Sequence, residues 1–254
     1  MGLTRRATVT SPLGNDALTL LSLSGSEALG EPFSYELELL SERADIVLAE
    51  LVGQPLCVKL QLTGDTPREF SGIVTRFSQS GARGRYSLYT AELRPWFWLL
   101  CHTKNSRIFE GKTVPDLVLE LFRDAGFTDF VCLLGNEYRS WDYLVQYRES
   151  DFNFISRLLE QEGIYYFFQY LDGKHALVLA DTPDSHTVEV GFEEVPFLPP
   201  QSNPLQRERD HIHAWRVSRQ VRPGKYSSKD FNFEMPSVDL KAELAEVSNT
   251  ASRT

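Results

Sequence analysis

Phe33, Tyr35, Leu37 and Leu39 alternate with Ser34, Glu36 and Glu38, the period of a half-buried strand. Ahead of them, residues 7–10 and 18–23 flank the turn-forming run Ser11-Pro12-Leu13-Gly14-Asn15-Asp16, which predicts a hairpin. A short helix is expected over residues 46–52, with Asp45 as its cap and Gly53 as its stop. Three further strands are predicted at residues 56–62, 69–79 and 86–93. Gly72 inside the middle one points to a bulge or a bend. About six short strands and one helix fit a small antiparallel barrel.

The pattern changes at Arg94-Pro95-Trp96-Phe97-Trp98-Leu99-Leu100, a dense apolar cluster expected to plug a core or a domain seam. A helix is predicted from Thr113, with Pro115 and Asp116 in its first turn. Its apolar stripe is Leu117, Val118, Leu121 and Phe122, and Gly126 ends it. Ser150 is placed to cap a second helix carrying Phe152, Ile155, Leu158 and Leu159, with Asp151 in the first turn and Gly163 as the stop. Residues 164–170 and 175–180 read as strands joined by an Asp172-Gly173 hairpin turn. Further β-structure is expected at residues 187–190, 214–222 and 230–234, while residues 240–247 are ambiguous between strand and helix. The layout is mainly β with an α+β insertion. A first barrel covers residues 1–98 and the insertion 99–145. Residues 146–254 form a helix and a second β unit.

Of the 254 residues, 42% are hydrophobic and 24% charged, as in an ordinary globular protein. The net charge of −9, with no basic stripe, argues against nucleic-acid partners, whose binding needs phosphate neutralisation. Cys57, Cys101 and Cys132 are far apart and odd in number, so neither a disulfide framework nor a metal ligand set is expected. Their apolar neighbours predict buried free thiols. No signal peptide or membrane-spanning run is predicted.

Candidate chemistry is sparse. Glu149, Asp151, Glu160 and Glu162 lie close in sequence, and Glu149 with Glu160 is the pair to weigh for glycoside hydrolysis. Arg157, three residues from Glu160, makes an ion pair the plainer reading. His211 and His213 would share one face of a strand and so could bind a metal, but no further ligand is convincingly placed. No nucleophile elbow, phosphate loop or dinucleotide fingerprint occurs. Neither catalysis nor a cofactor is expected.

The stretch from Gln146 to Phe168, QYRESDFNFISRLLEQEGIYYFF, resembles the pattern QYxExDxxFxxRLxExEGIxYxF of the VgrG spike proteins at every fixed position. Glu31-Pro32-Phe33-Ser34-Tyr35-Glu36-Leu37, Arg94-Pro95-Trp96, Ser106-Arg107-Ile108-Phe109 and Leu177-Val178-Leu179-Ala180-Asp181 agree in order. The resemblance implies a structural hub of a type VI secretion machine, similar to contractile-phage tail hubs. Two related barrels per subunit, the second incomplete in this chain, would form a homotrimer on a hexameric tube protein. Baseplate components, effectors and adaptor proteins would be further partners, and the protein would leave the cytoplasm through the machine itself. Gln146, Tyr147, Glu149, Asp151, Phe154, Arg157, Glu160, Gly163 and Tyr166 are the residues expected to build a structural or interface site. Arg157, Glu149 and Glu160 are expected to form its ion-pair network. A prophage baseplate hub is the alternative.

Overall fold

The computed structural model describes residues 7–14, 17–61, 67–186, 193–199, 211–220 and 223–245. They fall into two units, Met1–Glu194 and Val195–Thr254. The first unit opens with strands β1 (Ala7–Thr10), β2 (Thr19–Ala28), β3 (Glu31–Ser41), β4 (Pro55–Leu60), β5 (Arg68–Arg83) and β6 (Tyr86–Arg94). They form one antiparallel sheet in the order β1-β4-β5-β6-β3-β2. The sheet curls until its edge strands β1 and β2 approach each other, a near-closed barrel. Alternation on β3 and β6 sends Phe33, Tyr35, Leu37, Leu39, Tyr89, Ala91 and Leu93 into its core, as period-2 patterning requires.

The predicted hairpin of the first two strands does not form. The turn is real, with the Gly14 N–H donating to the Ser11 carbonyl at 3.0 Å. However, β1 pairs with β4, placing Val9 opposite Val58, because both bury their side chains in the barrel core. The helix expected over residues 46–52 is reduced to a 3-10 turn at Leu48–Glu50. Gly53, at φ +82°, then returns the chain to β4. Gly72 is not a bulge. The β4–β5 ladder runs regularly through it, and the irregularities of β5 fall between Val74 and Arg76 and between Gln79 and Gly81. Its missing side chain answers a close approach, since a Cβ there would lie 2.9 Å from the Leu93 Cβ.

A 3-10 segment, Trp96–His102, leads into β7 (Lys104–Lys112), α1 (Val114–Asp124), β8 (Phe130–Leu133), β9 (Trp141–Ser150), α2 (Asp151–Glu162), β10 (Tyr165–Leu171) and β11 (Lys174–Ala180). Thr113 caps α1 by accepting from the Asp116 N–H. A second core joins Trp96, Phe97 and Leu100 to the inner faces of both helices and to Tyr166, Leu177 and Leu179. The position between residues 145 and 146, expected to end the insertion, lies inside continuous β9. The Asp172-Gly173 turn has both residues at positive φ, +52° and +78°, as a two-residue type I′ turn demands. Cys57 is buried, Cys101 half-buried and Cys132 exposed. Cys132 departs from expectation because β8 is the edge of the β10-β11-β8 sheet.

In the second unit, β12 (Lys225–Asp230) pairs antiparallel with β13 (Leu240–Ala245). The strand expected at residues 214–222 is absent over 214–220, and residues 231–234 belong to the connection between β12 and β13. The ambiguous segment is strand over residues 240–245. The expected strand at residues 187–190 lies outside the described residues, as do positions 221–222 and 246–247. No helix among the described residues is long and apolar enough to cross a membrane.

Candidate functional site

The chain turns from β9 into α2 over a buried polar cluster. Alternation along β9 sends Leu144 and Gln146 inward and leaves Val145 and Tyr147 exposed. Arg148 is an extra residue against β7, since Ser106 pairs with Tyr147 and Asn105 with Glu149. Its φ of +52° is that of a local bulge. Two residues on, the Ser150 side chain accepts from the Asn153 N–H at 3.2 Å and starts the helix.

Asp151, 7% exposed, is the centre of the cluster. Its Oδ1 accepts from Arg107 Nη2 at 2.6 Å, Gln146 Nε2 at 2.7 Å and Asn105 Nδ2 at 3.4 Å. Gln146, 1% exposed, accepts from Arg107 Nε at 2.9 Å and donates to the Glu149 carbonyl at 3.1 Å. The Asp151 N–H in turn donates to the Thr103 carbonyl at 2.9 Å. Arg107 therefore spans Gln146 and Asp151 and ties β7 to the β9–α2 corner. A buried charge is tolerable only when paired and hydrogen-bonded in this way, and the first turn of α2 adds its dipole in favour of the carboxylate.

A second clamp lies six residues further along, at Arg157. Arg157 Nη2 donates to Glu149 Oε1 at 2.6 Å and to the Val145 carbonyl at 3.1 Å. Its guanidinium also lies 5.4 Å from the centre of the Phe154 ring, and buried Phe154 stacks on Phe109. Glu160 is not part of the expected network. It is exposed, because Arg157 reaches back to β9 rather than along the helix. Glu162 accepts instead from Trp141 Nε1 at 2.9 Å.

Gly163 adopts φ +72° and lets the Ile164 N–H return to the Leu159 carbonyl at 2.8 Å, which sets the angle between α2 and β10. Tyr166 is buried against Phe97 and Phe168. Its carbonyl accepts from the Gly30 N–H at 2.8 Å. Tyr147 stands apart from both clusters, 65% exposed.

The β10–β11 hairpin is hooked onto the curled sheet. Ser71 Oγ donates to the Gly173 carbonyl at 2.7 Å, and the Gly173 N–H donates to Glu69 Oε2 at 2.7 Å. Tyr35 hydrogen-bonds both Glu27 and Tyr170. Buried His175 accepts the Trp96 N–H on Nε2 at 3.0 Å and contacts the edges of Phe33 and Phe168. Burial holds its pKa down to about 4. Arg107 and His175 were missed as anchors. Arg107 sits in a strand-like alternation that reads equally well as solvent-facing, and an isolated histidine carries no sequence signal.

The profile of the family described as "Phage tail baseplate hub (GPD)" matches residues 26–254. The chain belongs to the phage tail baseplate hub (GPD) family. Among relatives of this hub chain, the Pseudomonas aeruginosa "Type VI secretion system spike protein VgrG1b" is 45% identical over 238 residues, covering 94% of this chain and 32% of that protein. The same organism's spike protein VgrG1a is 45% identical over 241 residues, covering 95% and 37%. The hub chain thus spans about a third of the length of these relatives. The Escherichia coli c3393 protein, a type VI secretion component, superposes with a TM-score of 0.62 at 26% identity, over 72% of this chain and 50% of that one. The 43 kDa tail protein of prophage MuSo2 from Shewanella oneidensis shares the fold, with a TM-score of 0.61 at 15% identity over 98% of this chain and 71% of its own.

Glu149 is engaged by Arg157, and Glu160 is exposed on the last turn of α2. The rings of His211 and His213 lie 6.5 Å apart. Among the described residues no three His, Cys, Asp or Glu side chains cluster as a metal site.

Proposed function

We propose that this chain is the structural hub of a type VI secretion spike, a homotrimer that docks on the hexameric tube protein and bears the puncturing spike. The observation that carries this reading is the Arg107–Gln146–Asp151 cluster. Within the matched motif Gln146, Glu149, Asp151 and Arg157 are spent on rigid positioning of β9 and α2. Gln146, Glu149, Asp151, Phe154, Arg157, Gly163 and Tyr166 would hold the hub's geometry. The expected division into a first barrel of residues 1–98, an insertion of 99–145 and a second barrel unit from 146 belongs to this proposal. A separate core over the first six strands supports the first barrel of that division. Baseplate components, effectors and adaptors would be partners, and the protein would leave the cytoplasm by firing. A binding assay against purified tube hexamers tests the docking. Saturable binding by the protein in its full reading frame supports it, and no binding overturns it.

The family match to tail baseplate hubs supports a second reading, a prophage baseplate hub. Genomic neighbours belonging to a prophage, rather than to a type VI secretion cluster, would favour it.

A further inference from the structure

The β7–β9 ribbon has two faces, and the positioning cluster uses only one. Arg107, Phe109, Leu144 and Gln146 point inward. On the outer face Ile108 lies opposite Val145, with Tyr147 opposite Ser106 and Tyr143 opposite Glu110. Ile108 and Tyr143 are each 66% exposed, Tyr147 65% and Val145 40%. Side chains in this register touch across the strands. They make a continuous apolar surface on a ribbon of only two strands, the kind of patch that marks an interaction site.

The ends of that surface carry opposite charge. Exposed Lys104 stands at one end. The Arg148 bulge swings its guanidinium to the same end, 5.2 Å from the Tyr147 ring centre. Glu110 marks the other end, about 13 Å from Ser106 at the rise of an extended strand. Among the described residues Lys104, Arg148 and Glu110 have no ion-pair partner. The face is therefore basic, apolar, then acidic along the ribbon.

We infer that this outer face docks on a second copy of itself. A two-fold axis lying in the interface, across the strands near Ile108 and Val145, brings Glu110 of each copy onto Arg148 and Lys104 of the other. The apolar rows then stack between them. Such isologous pairing needs a patch that is its own complement, and the charge order supplies one. A face two strands wide falls below the roughly 1,200 Å² of stable interfaces, so the association is weak and reversible. It goes beyond the hub reading, because a two-fold pairing of this face is an isologous contact, distinct from the heterologous contact by which a three-fold ring closes.

Sedimentation equilibrium of the 254-residue chain tests the pairing. The wild type should show a concentration-dependent two-fold step in mass. Glu110→Arg should weaken that step about ten-fold, because two symmetry-related attractions become repulsions. Adding Lys104→Glu and Arg148→Glu should restore it to within about three-fold of wild type. Near-UV circular dichroism confirms that each variant keeps its fold. A chain that stays monomeric, a two-fold step indifferent to Glu110→Arg, or a charge swap that fails to restore it would each overturn the inference. So would three-fold association with no two-fold step, although that outcome leaves the hub reading intact.

Discussion

Replacing Asp151 with alanine removes the acceptor on which three donors converge. Arg107, 32% exposed at its side chain, then faces the cavity without its carboxylate, and buried Gln146 loses one of its two acceptors. Removing one partner of a buried ion pair costs about 3–5 kcal/mol. The partial exposure of Arg107 lowers that figure, and loss of a favourable charge at the α2 N-terminus adds about 0.5 kcal/mol. The expected loss is about 2–4 kcal/mol. Asp151→Asn keeps one oxygen acceptor and should lose about half as much. Urea unfolding followed by tryptophan fluorescence measures it, in a Trp215→Phe background that silences an exposed reporter in the second unit. The midpoint should fall with the slope unchanged. Arg107→Met combined with Asp151→Ala should cost less than the sum of the two, because the second change no longer strands a charge. A loss below about 0.5 kcal/mol for Asp151→Ala would refute the reasoning, since that is the scale of an exposed pair.

Three further outcomes follow from the same geometry. His175 is held neutral in the fold, with its pKa lowered from 6.5 to about 4. Protons therefore bind the unfolded chain first, and stability present above pH 6.5 should fall by on the order of 3 kcal/mol as pH drops to about 4. His175→Gln should flatten that part of a stability–pH curve. Gly163→Ala meets open space but forces a left-handed alanine at φ +72°, so it should cost about 1 kcal/mol by thermal unfolding. Asp181→Ala removes the acceptor for the Gly135 and Asn136 N–H groups and the Tyr138 hydroxyl. Hydrogen exchange should accelerate across residues 135–138 and not in α2.

The helices were the most legible elements because their signals are local. Thr113 and Ser150 cap where side-chain oxygens precede an apolar stripe, and Gly126 and Gly163 stop the helices by positive φ. The Asp172-Gly173 turn was readable for the same reason. Strand partnership was not, because it depends on residues distant in sequence. The partner of β1 is set by Val58, far along the chain, and nothing in the intervening turn says so. The site divided along the same line. Gln146 and Asp151 lay inside a recognisable motif, but Arg107 reaches them only after β7 and β9 pair. Glu160 was placed in the network by helical spacing, and the β9 carbonyl and Glu149 won Arg157 instead.

The central claim is assembly through a rigid hub, and the mass of the protein in its full reading frame tests it most directly. Mass photometry, with and without purified tube hexamers, should give three times the subunit mass alone and a larger complex with the tube. A species that remains at the subunit mass in both samples would contradict the account.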